Sequence, residues 1–282
     1  MKTALSMEGG AMRGMFTCGV IDVLMEQGIT FDAAAGISAG AAFGCNFKSH
    51  QIGRPIRYNK RYGRDPRYMS IRSLLKTGDL YNADFCYREL PDVLDPFDRK
   101  AFRENPMAFY IGATDVRTGK PVYHLCSDGE EADILWMRAS ASMPLVSRPV
   151  SVDGYLLLDG GITDPVPLAH MQGLGFDRHV VILTQPKGYR KEKSGGMPFM
   201  RMMLRKYPEI VRAMGERHRV YNQQMEDIDR QEEAGAVFVI RPPAALGIQR
   251  TETRPEELER VYQTGRQEAA ARLHALKQFL KG

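Results

Sequence analysis

Ile29-Thr30-Phe31-Asp32-Ala33-Ala34-Ala35-Gly36-Ile37-Ser38-Ala39-Gly40, running on into Ala41–Phe47, reads as a strand, a sharp glycine turn and a helix. The same order occurs once more, upstream. Thr3–Met7 has the apolar content of a short buried strand, and Gly9-Gly10-Ala11-Met12-Arg13-Gly14 is a glycine-rich connection. From near Arg13 the apolar residues Phe16, Val20, Val23 and Leu24 recur at helical spacing, and Gly28 falls where a C′ glycine belongs. Two strand–glycine turn–helix units within 48 residues imply an α/β layered fold with a mainly parallel sheet.

Outward from there the pattern loosens. Residues 48–106 hold eight Gly and Pro punctuators (Gly53, Pro55, Gly63, Pro66, Gly78, Pro91, Pro96, Pro106) and are expected to form an insertion or cap with short helices. Ala108–Ala113 and Pro121–Leu125 read as strands of a hairpin turned at Arg117–Lys120. Asp133–Ser142 reads as a helix stopped by Pro144, Tyr155–Leu158 as a strand, Leu168–Leu174 as a helix and His179–Thr184 as a strand. Lys187–Gly196 is a charged linker, which sets the expected boundary between a domain at 1–186 and a mostly helical extension at 187–282. In that extension Met200–Glu233 is helical with a break at Pro208, Val237–Ile240 is a strand, and Pro255 opens a last helix.

Composition narrows the class. A chain of 282 residues with 43% hydrophobic and 26% charged residues can bury a full core. No apolar run approaches the ~18 residues of a membrane span. The first eight residues carry one positive charge and too short an apolar run for a secretory leader, so a cytoplasmic location is expected. Cys18, Cys45, Cys86 and Cys126 are scattered and are expected to be reduced and mostly buried, with no metal. The net charge is +5, yet Lys48–Arg72 alone carries eight basic residues against Asp65, with Tyr58, Tyr62 and Tyr68 interleaved. No nucleic-acid motif accompanies them, so no nucleic acid is expected. An anionic membrane surface is the partner such a segment would attract, which would place the protein peripherally at an inner membrane face.

Three segments carry chemistry. Gly36-Ile37-Ser38-Ala39-Gly40 matches Gly-x-Ser-x-Gly, in which a strained turn presents a serine hydroxyl at a helix N-terminus where negative charge is favoured. Ser38 is the candidate nucleophile. The Gly9–Gly14 loop admits two uses. Its spacing nearly fits a dinucleotide fingerprint, with Asp32 near the position of a ribose-binding acid. Alternatively its inward N–H groups bind an oxyanion, braced by Arg13. A serine needs a proton acceptor. Asp159 ends an apolar strand and precedes Gly160-Gly161, whereas His50, His124, His170, His179, His218 and His274 lack distinctive settings. His170, eleven residues after Asp159, remains the histidine alternative, and Asp164 and Asp115 are weaker carboxylates. A non-enzymatic docking module, working through the basic segment, is the third reading.

Gly-Gly-x-x-Arg-Gly, Gly-x-Ser-x-Gly and Asp-Gly-Gly in this order resemble the patatin-like phospholipase family, as does Ala139-Ser140-Ala141-Ser142-Met143-Pro144 ahead of the aspartate strand. The likeness covers about residues 1–185, and the remainder resembles the helical extension of a bacterial subgroup. It implies a three-layer α/β/α fold and cofactor-free, metal-independent hydrolysis of acyl esters, commonly of phospholipids. It implies Ser38 as nucleophile, Asp159 as base, and Gly9, Gly10 and Ala11 as oxyanion donors supported by Arg13. Gly14, Gly36, Gly40, Gly160 and Gly161 are its supporting glycines. Glu8 replaces the family's frequent aspartate, and Ala11 stands where many members have a third glycine.

Overall fold

The computed structural model describes residues 1–193 and 195–282. Both N-terminal units form. β1 (Thr3–Met7) leads through a 3-10 turn at Ala11–Arg13 into α1 (Gly14–Glu26), and β2 (Ala33–Ile37) leads directly into α2 (Ala39–Lys48). β2 starts later than its sequence suggests because Asp32 is spent on the edge of β1. Its carboxylate accepts from the Thr3 N–H at 2.7 Å and from the Thr3 hydroxyl at 3.1 Å, and pairing begins at Ala4 opposite Ala33.

The segment expected as a cap carries α3 (Arg54–Tyr62), α4 (Ile71–Thr77), a π-helical turn at Phe85–Leu94 and α5 (Arg99–Glu104). The hairpin β3 (Ala108–Asp115) and β4 (Lys120–Cys126) follows, then α6 (Glu131–Ser140). β5 (Val150–Val152) pairs antiparallel with β6 (Tyr155–Asp159). The sequence reading lacks β5, although Asp153 and Gly154, both at positive φ (47° and 77°), are the dipeptide that two-residue hairpins favour. Then come α7 (Leu168–Gly173), β7 (Arg178–Ile182), α8 (Met197–Met203), α9 (Pro208–Glu233), β8 (Val237–Ile240) and α10 (Pro255–Lys281).

Among the described residues, eight strands form one sheet in the order β5-β6-β3-β2-β1-β7-β8, with β4 paired to β3. β3, β2, β1, β7 and β8 run parallel, β4 and β6 run antiparallel to β3, and β5 pairs antiparallel with β6. Alternation along the strands sorts the two faces. Val180 and Ile182 join Leu5 and Met7 against α1 and α10, whereas Val181 and Leu183 join Tyr221, Met225 and Ile228 of α9. Residues after 187 thus supply an edge strand and a helix on each face.

The α10 helix crosses α1 with backbones almost touching. A Cβ on Gly19 would lie 2.0 Å from the Tyr262 carbonyl oxygen, and one on Gly265 would lie 2.1 Å from that of Phe16. The Tyr262 hydroxyl donates to buried Asp22 at 2.7 Å beside this crossing. Among the described residues no helix is long and apolar enough to cross a membrane.

Candidate active site

Ser38 occupies the N-cap of α2 with φ 54° and ψ −117°, a backbone conformation rarely accessible to a residue with a Cβ. The turn holds because its flanks have no side chains. A Cβ on Gly36 would meet the Gly40 carbonyl oxygen at 2.2 Å, and one on Gly40 would meet that of Met7 at 2.4 Å. The Ser38 N–H is pinned as well. It donates to Ser140 Oγ at 2.8 Å, and Ser140 in turn donates to the Gly112 carbonyl at 2.6 Å. Ser140 is a positioning residue that sequence reasoning did not assign. It lies in the noted Ala139–Pro144 stretch, but a serine among small residues carries no spacing signal.

Asp159 is delivered by the end of β6, which pairs Asp159 with Ala113 of β3, two strands from β1. It is 1% exposed. Its Oδ2 accepts the Ser38 hydroxyl at 2.7 Å, and its Oδ1 accepts the Gly161 N–H at 2.7 Å. Gly160 permits the approach, since a Cβ there would meet the Gly112 carbonyl oxygen at 2.4 Å. Burial pushes the Asp159 carboxyl above the ordinary carboxylate range. The Ser38 hydrogen bond, the Arg217 charge and the Gly161 N–H oppose that shift. Residues 121 positions apart in sequence are therefore in hydrogen-bond contact.

The glycine-rich loop lies against this pair. A Cβ on Gly9 would sit 3.2 Å from Ser38 Cβ, and one on Gly14 would sit 2.8 Å from Ala39 Cβ. One expected donor is otherwise engaged: the Gly9 N–H donates to the Pro165 carbonyl at 3.2 Å. Gly9 contributes close approach rather than a free amide. Among the described residues nothing accepts from the N–H groups of Gly10, Ala11 or Met12. Ala11 takes φ 49°, the left-handed region that a glycine adopts without strain. Arg13 does not brace the loop through its side chain. Among the described residues its Nε is buried with no partner. Glu8, buried at the end of β1, accepts from the Thr184 N–H at 2.5 Å and from the Tyr221 hydroxyl at 2.9 Å, tying the loop to β7 and α9.

Above Ser38 opens a cavity of about 430 Å³ with mostly apolar walls. Its floor is Ala11, Met12, Ser38 and Ala39, and its walls include Phe43, Tyr58, Leu90, Met137 and Leu145. The segment 48–106 thus roofs the site. Most of its cations have local work. Lys48 donates to the carbonyls of Asn105 and Met107, and Arg54 is buried on the Asp95 carbonyl. Arg57, Lys60, Arg64 and Arg67 pair with Asp95, Glu259, Glu256 and Asp65 respectively. Arg61 and Arg72 have no ion-pair partner among the described residues.

The competing candidates lie elsewhere. Asp32 precedes β2, at the opposite end of the sheet from Gly9, so the ribose-binding acid of a dinucleotide fold is missing. His170 stacks on Tyr123 with ring centroids 3.6 Å apart, and Tyr123 donates to Asp164 at 2.5 Å. Asp115 accepts from the Arg117 N–H and the Thr118 hydroxyl within the hairpin turn. All four cysteines are free, and three are buried. Ligand atoms of His124, Cys126 and Asp133 lie within 4.8 Å of one another, an approach the scattered cysteines did not suggest. Asp133 already accepts there from His124 and from the N–H groups of Ser127, Asp128 and Gly129.

The profile of the patatin-like phospholipase family matches residues 5–171, and that of a domain of unknown function matches residues 207–281. The uncharacterized protein YjjU of Escherichia coli is 31% identical over 191 residues, covering 66% of this chain and 52% of that protein. An uncharacterized NTE family protein of Mycobacterium tuberculosis is 28% identical over 181 residues, 64% of this chain and 48% of that protein. Lysophospholipase nte1 of Aspergillus terreus is 28% identical over 212 residues, 68% of this chain and 13% of that protein. The chain spans about half the length, or less, of these curated relatives. Among solved structures, VipD from Legionella pneumophila gives a TM-score of 0.47 at 12% identity, covering 97% of this chain and 67% of that one.

Proposed function

The chain belongs to the patatin-like phospholipase family, and on that premise we propose that it is a serine acyl hydrolase of lipid esters working through Ser38 and Asp159. The observation that carries this reading is the 2.7 Å hydrogen bond from Ser38 Oγ to Asp159 Oδ2, beside amides with no acceptor among the described residues. Ser38 Oγ attacks the ester carbonyl carbon as its proton passes to Asp159. The carbonyl oxygen, now negative, is held by the N–H groups of Gly10 and Ala11 at the start of the helical turn, where oriented donors count most. The C–O bond to the alcohol breaks, and the alkoxide takes the proton from Asp159. Water then attacks the acyl-enzyme, losing its proton to Asp159; the bond from the acyl carbon to Ser38 Oγ breaks, Ser38 regains the proton from Asp159, and the fatty acid leaves. The apolar cavity above Ser38 accommodates the acyl chain.

The test is labelling by a fluorophosphonate, followed by peptide mapping. Phosphonylation of Ser38 is expected, and it should vanish in the Asp159→Asn protein. A label that maps to another serine, or that survives in Asp159→Asn, refutes the assignment.

Contact with an anionic lipid surface is part of this reading, but pairing of the basic segment's cations moves the expected face to α4. Ile71 and Leu75 there are 73% and 82% exposed. Arg72 and Lys76 flank them, and Asp79–Tyr81 just beyond line the Ser38 cavity. Burying two such side chains in a lipid interface contributes roughly 2–4 kcal/mol. An Ile71→Glu, Leu75→Glu protein is expected to bind anionic vesicles at least tenfold more weakly in a flotation assay. Equal binding would place the contact elsewhere.

A further inference from the structure

Four cations gather beside the Ser38–Asp159 pair with no ion-pair partner among the described residues. Arg13 comes from the glycine-rich loop, Lys191 from the segment after β7, Arg217 from α9 and Arg250 from the segment before α10. Arg250 lines the same cavity as Ser38. Arg217 Nε donates to the Gly161 carbonyl at 2.6 Å, and its Nη2 lies 3.5 Å from where a Gly161 Cβ would be. Lys191 Nζ sits 4.4 Å over the Tyr221 ring, whose hydroxyl holds Glu8. Lys191 and Arg217 each lie within electrostatic reach of Asp159, Glu8, Arg13 and Arg250.

Among the described residues none of the four makes an ion pair. Neighbouring cations do: Lys187 with Glu233, Arg190 with Glu226, Arg241 with Asp229, Arg254 with Glu252. The two acids nearby are already satisfied by neutral donors, Glu8 by Thr184 and Tyr221, Asp159 by Ser38 and Gly161. A buried guanidinium N–H with no acceptor, as at Arg13 Nε, is costly unless an acceptor arrives. Four cations whose only acids in electrostatic reach among the described residues, Glu8 and Asp159, are already hydrogen-bonded to neutral donors describe a site that a further anion completes.

We propose that Arg13, Lys191, Arg217 and Arg250 form an anion site that holds the phosphate of a lysolipid while its ester lies at Ser38. The proposal rests on the hydrolase reading above only in taking the anion to be part of the substrate. Guanidinium forks match phosphate oxygens in pairs, and four positive charges suit a dianion better than a single carboxylate. Three of the four cations lie outside the part matched by the family profile, so the C-terminal segment sets the head-group preference. Lys191 adds a pH signature. Burial, then the Arg217 charge, pulls its ammonium down to about 7, with Glu8, Arg13, Asp159, Arg217, Tyr221 and Arg250 facing it and Tyr189 stacked on Tyr221. KM for a phosphate-bearing lipid is expected to rise as the pH passes upward through that value.

The experiment compares a lysophosphatidic acid with a monoacylglycerol of the same chain, in the wild type and in a Lys191→Gln, Arg250→Gln protein. The kcat/KM preference for the phosphate-bearing lipid is expected to fall at least tenfold, mainly through KM, and Lys191→Arg should retain it. An unchanged preference, or equal loss on both lipids, overturns the proposal. Calorimetry on the Ser38→Ala protein tests binding without turnover. At least tenfold weaker binding of the lysophosphatidic acid in the double variant on that background supports the site, and unchanged binding overturns it. Inorganic phosphate bound as tightly as the lipid would overturn the head-group assignment in favour of a free-phosphate site. If no ester is turned over at all, the hydrolase reading fails, and calorimetry still decides the anion site.

Discussion

An Asp159→Asn protein is expected to fold normally and to lose at least about 10³-fold in kcat on short p-nitrophenyl esters, matching the loss in Ser38→Ala. The two losses should not add in the double variant, because one proton transfer needs both groups. The substituted amide can still accept one hydrogen bond from Ser38 or Gly161, so the turn keeps its geometry while the proton acceptor disappears. Stability should move independently of activity. Burial raises the Asp159 pKa above its unfolded value, so its contribution to stability is full below the unfolded pKa and is lost as pH rises through the folded one. Above the unfolded pKa the raised value is thus a net cost, and the thermal midpoint of Asp159→Asn is expected to equal or exceed that of the wild type. The same direction of shift places the acid limb of kcat/KM above the ~4 of a free carboxylate. Near-normal turnover in Asp159→Asn, with the protein shown to be folded, would remove the proposed base.

The second large effect is on stability. Alanine is the better helix former by about 1 kcal/mol, so Gly→Ala inside an exposed helix usually helps. Gly215 of α9 is half-buried but has room for the change, since its added Cβ would find Met197 Cε at an ordinary 3.6 Å. Gly265→Ala should do the opposite, because its Cβ would enter the Phe16 carbonyl at 2.1 Å, and backbone cannot swing aside as a side chain does. A loss of about 2–3 kcal/mol is expected, with Tm lower by roughly 4–12 °C. Gly19→Ala should behave alike, and Gly215→Ala should hold or raise Tm. Equal Tm in all three proteins would contradict the close crossing of α1 and α10.

Much of the fold was legible because its deciding features are local. Two strand–glycine turn–helix units lie in 48 consecutive residues, and the elbow glycines are required by contacts across that short span. β5 was legible too, through Asp153-Gly154, but three residues make a weak alternation signal. The pair Ser38–Asp159 could be named from its settings, whereas Ser140 could not, because its role depends on where Gly112 and Ser38 meet. The partners of the basic segment were out of reach for a related reason. Read as a window, Lys48–Arg72 is a patch, yet Lys60 finds Glu259 and Arg57 finds Asp95, partners beyond any window. The anion site is the same limit in reverse: Arg13, Lys191, Arg217 and Arg250 are ordinary residues until four segments fold together.

The glycine-lined crossing of α1 and α10 also bears on how the chain is made. Asp22 and its partner Tyr262 are separated by 240 positions. At translation rates of about 5–20 residues per second, roughly 12–48 s pass between the emergence of the first helix and that of the one that covers it. Throughout that interval the side of α1 that α10 will cover has no cover from its own chain.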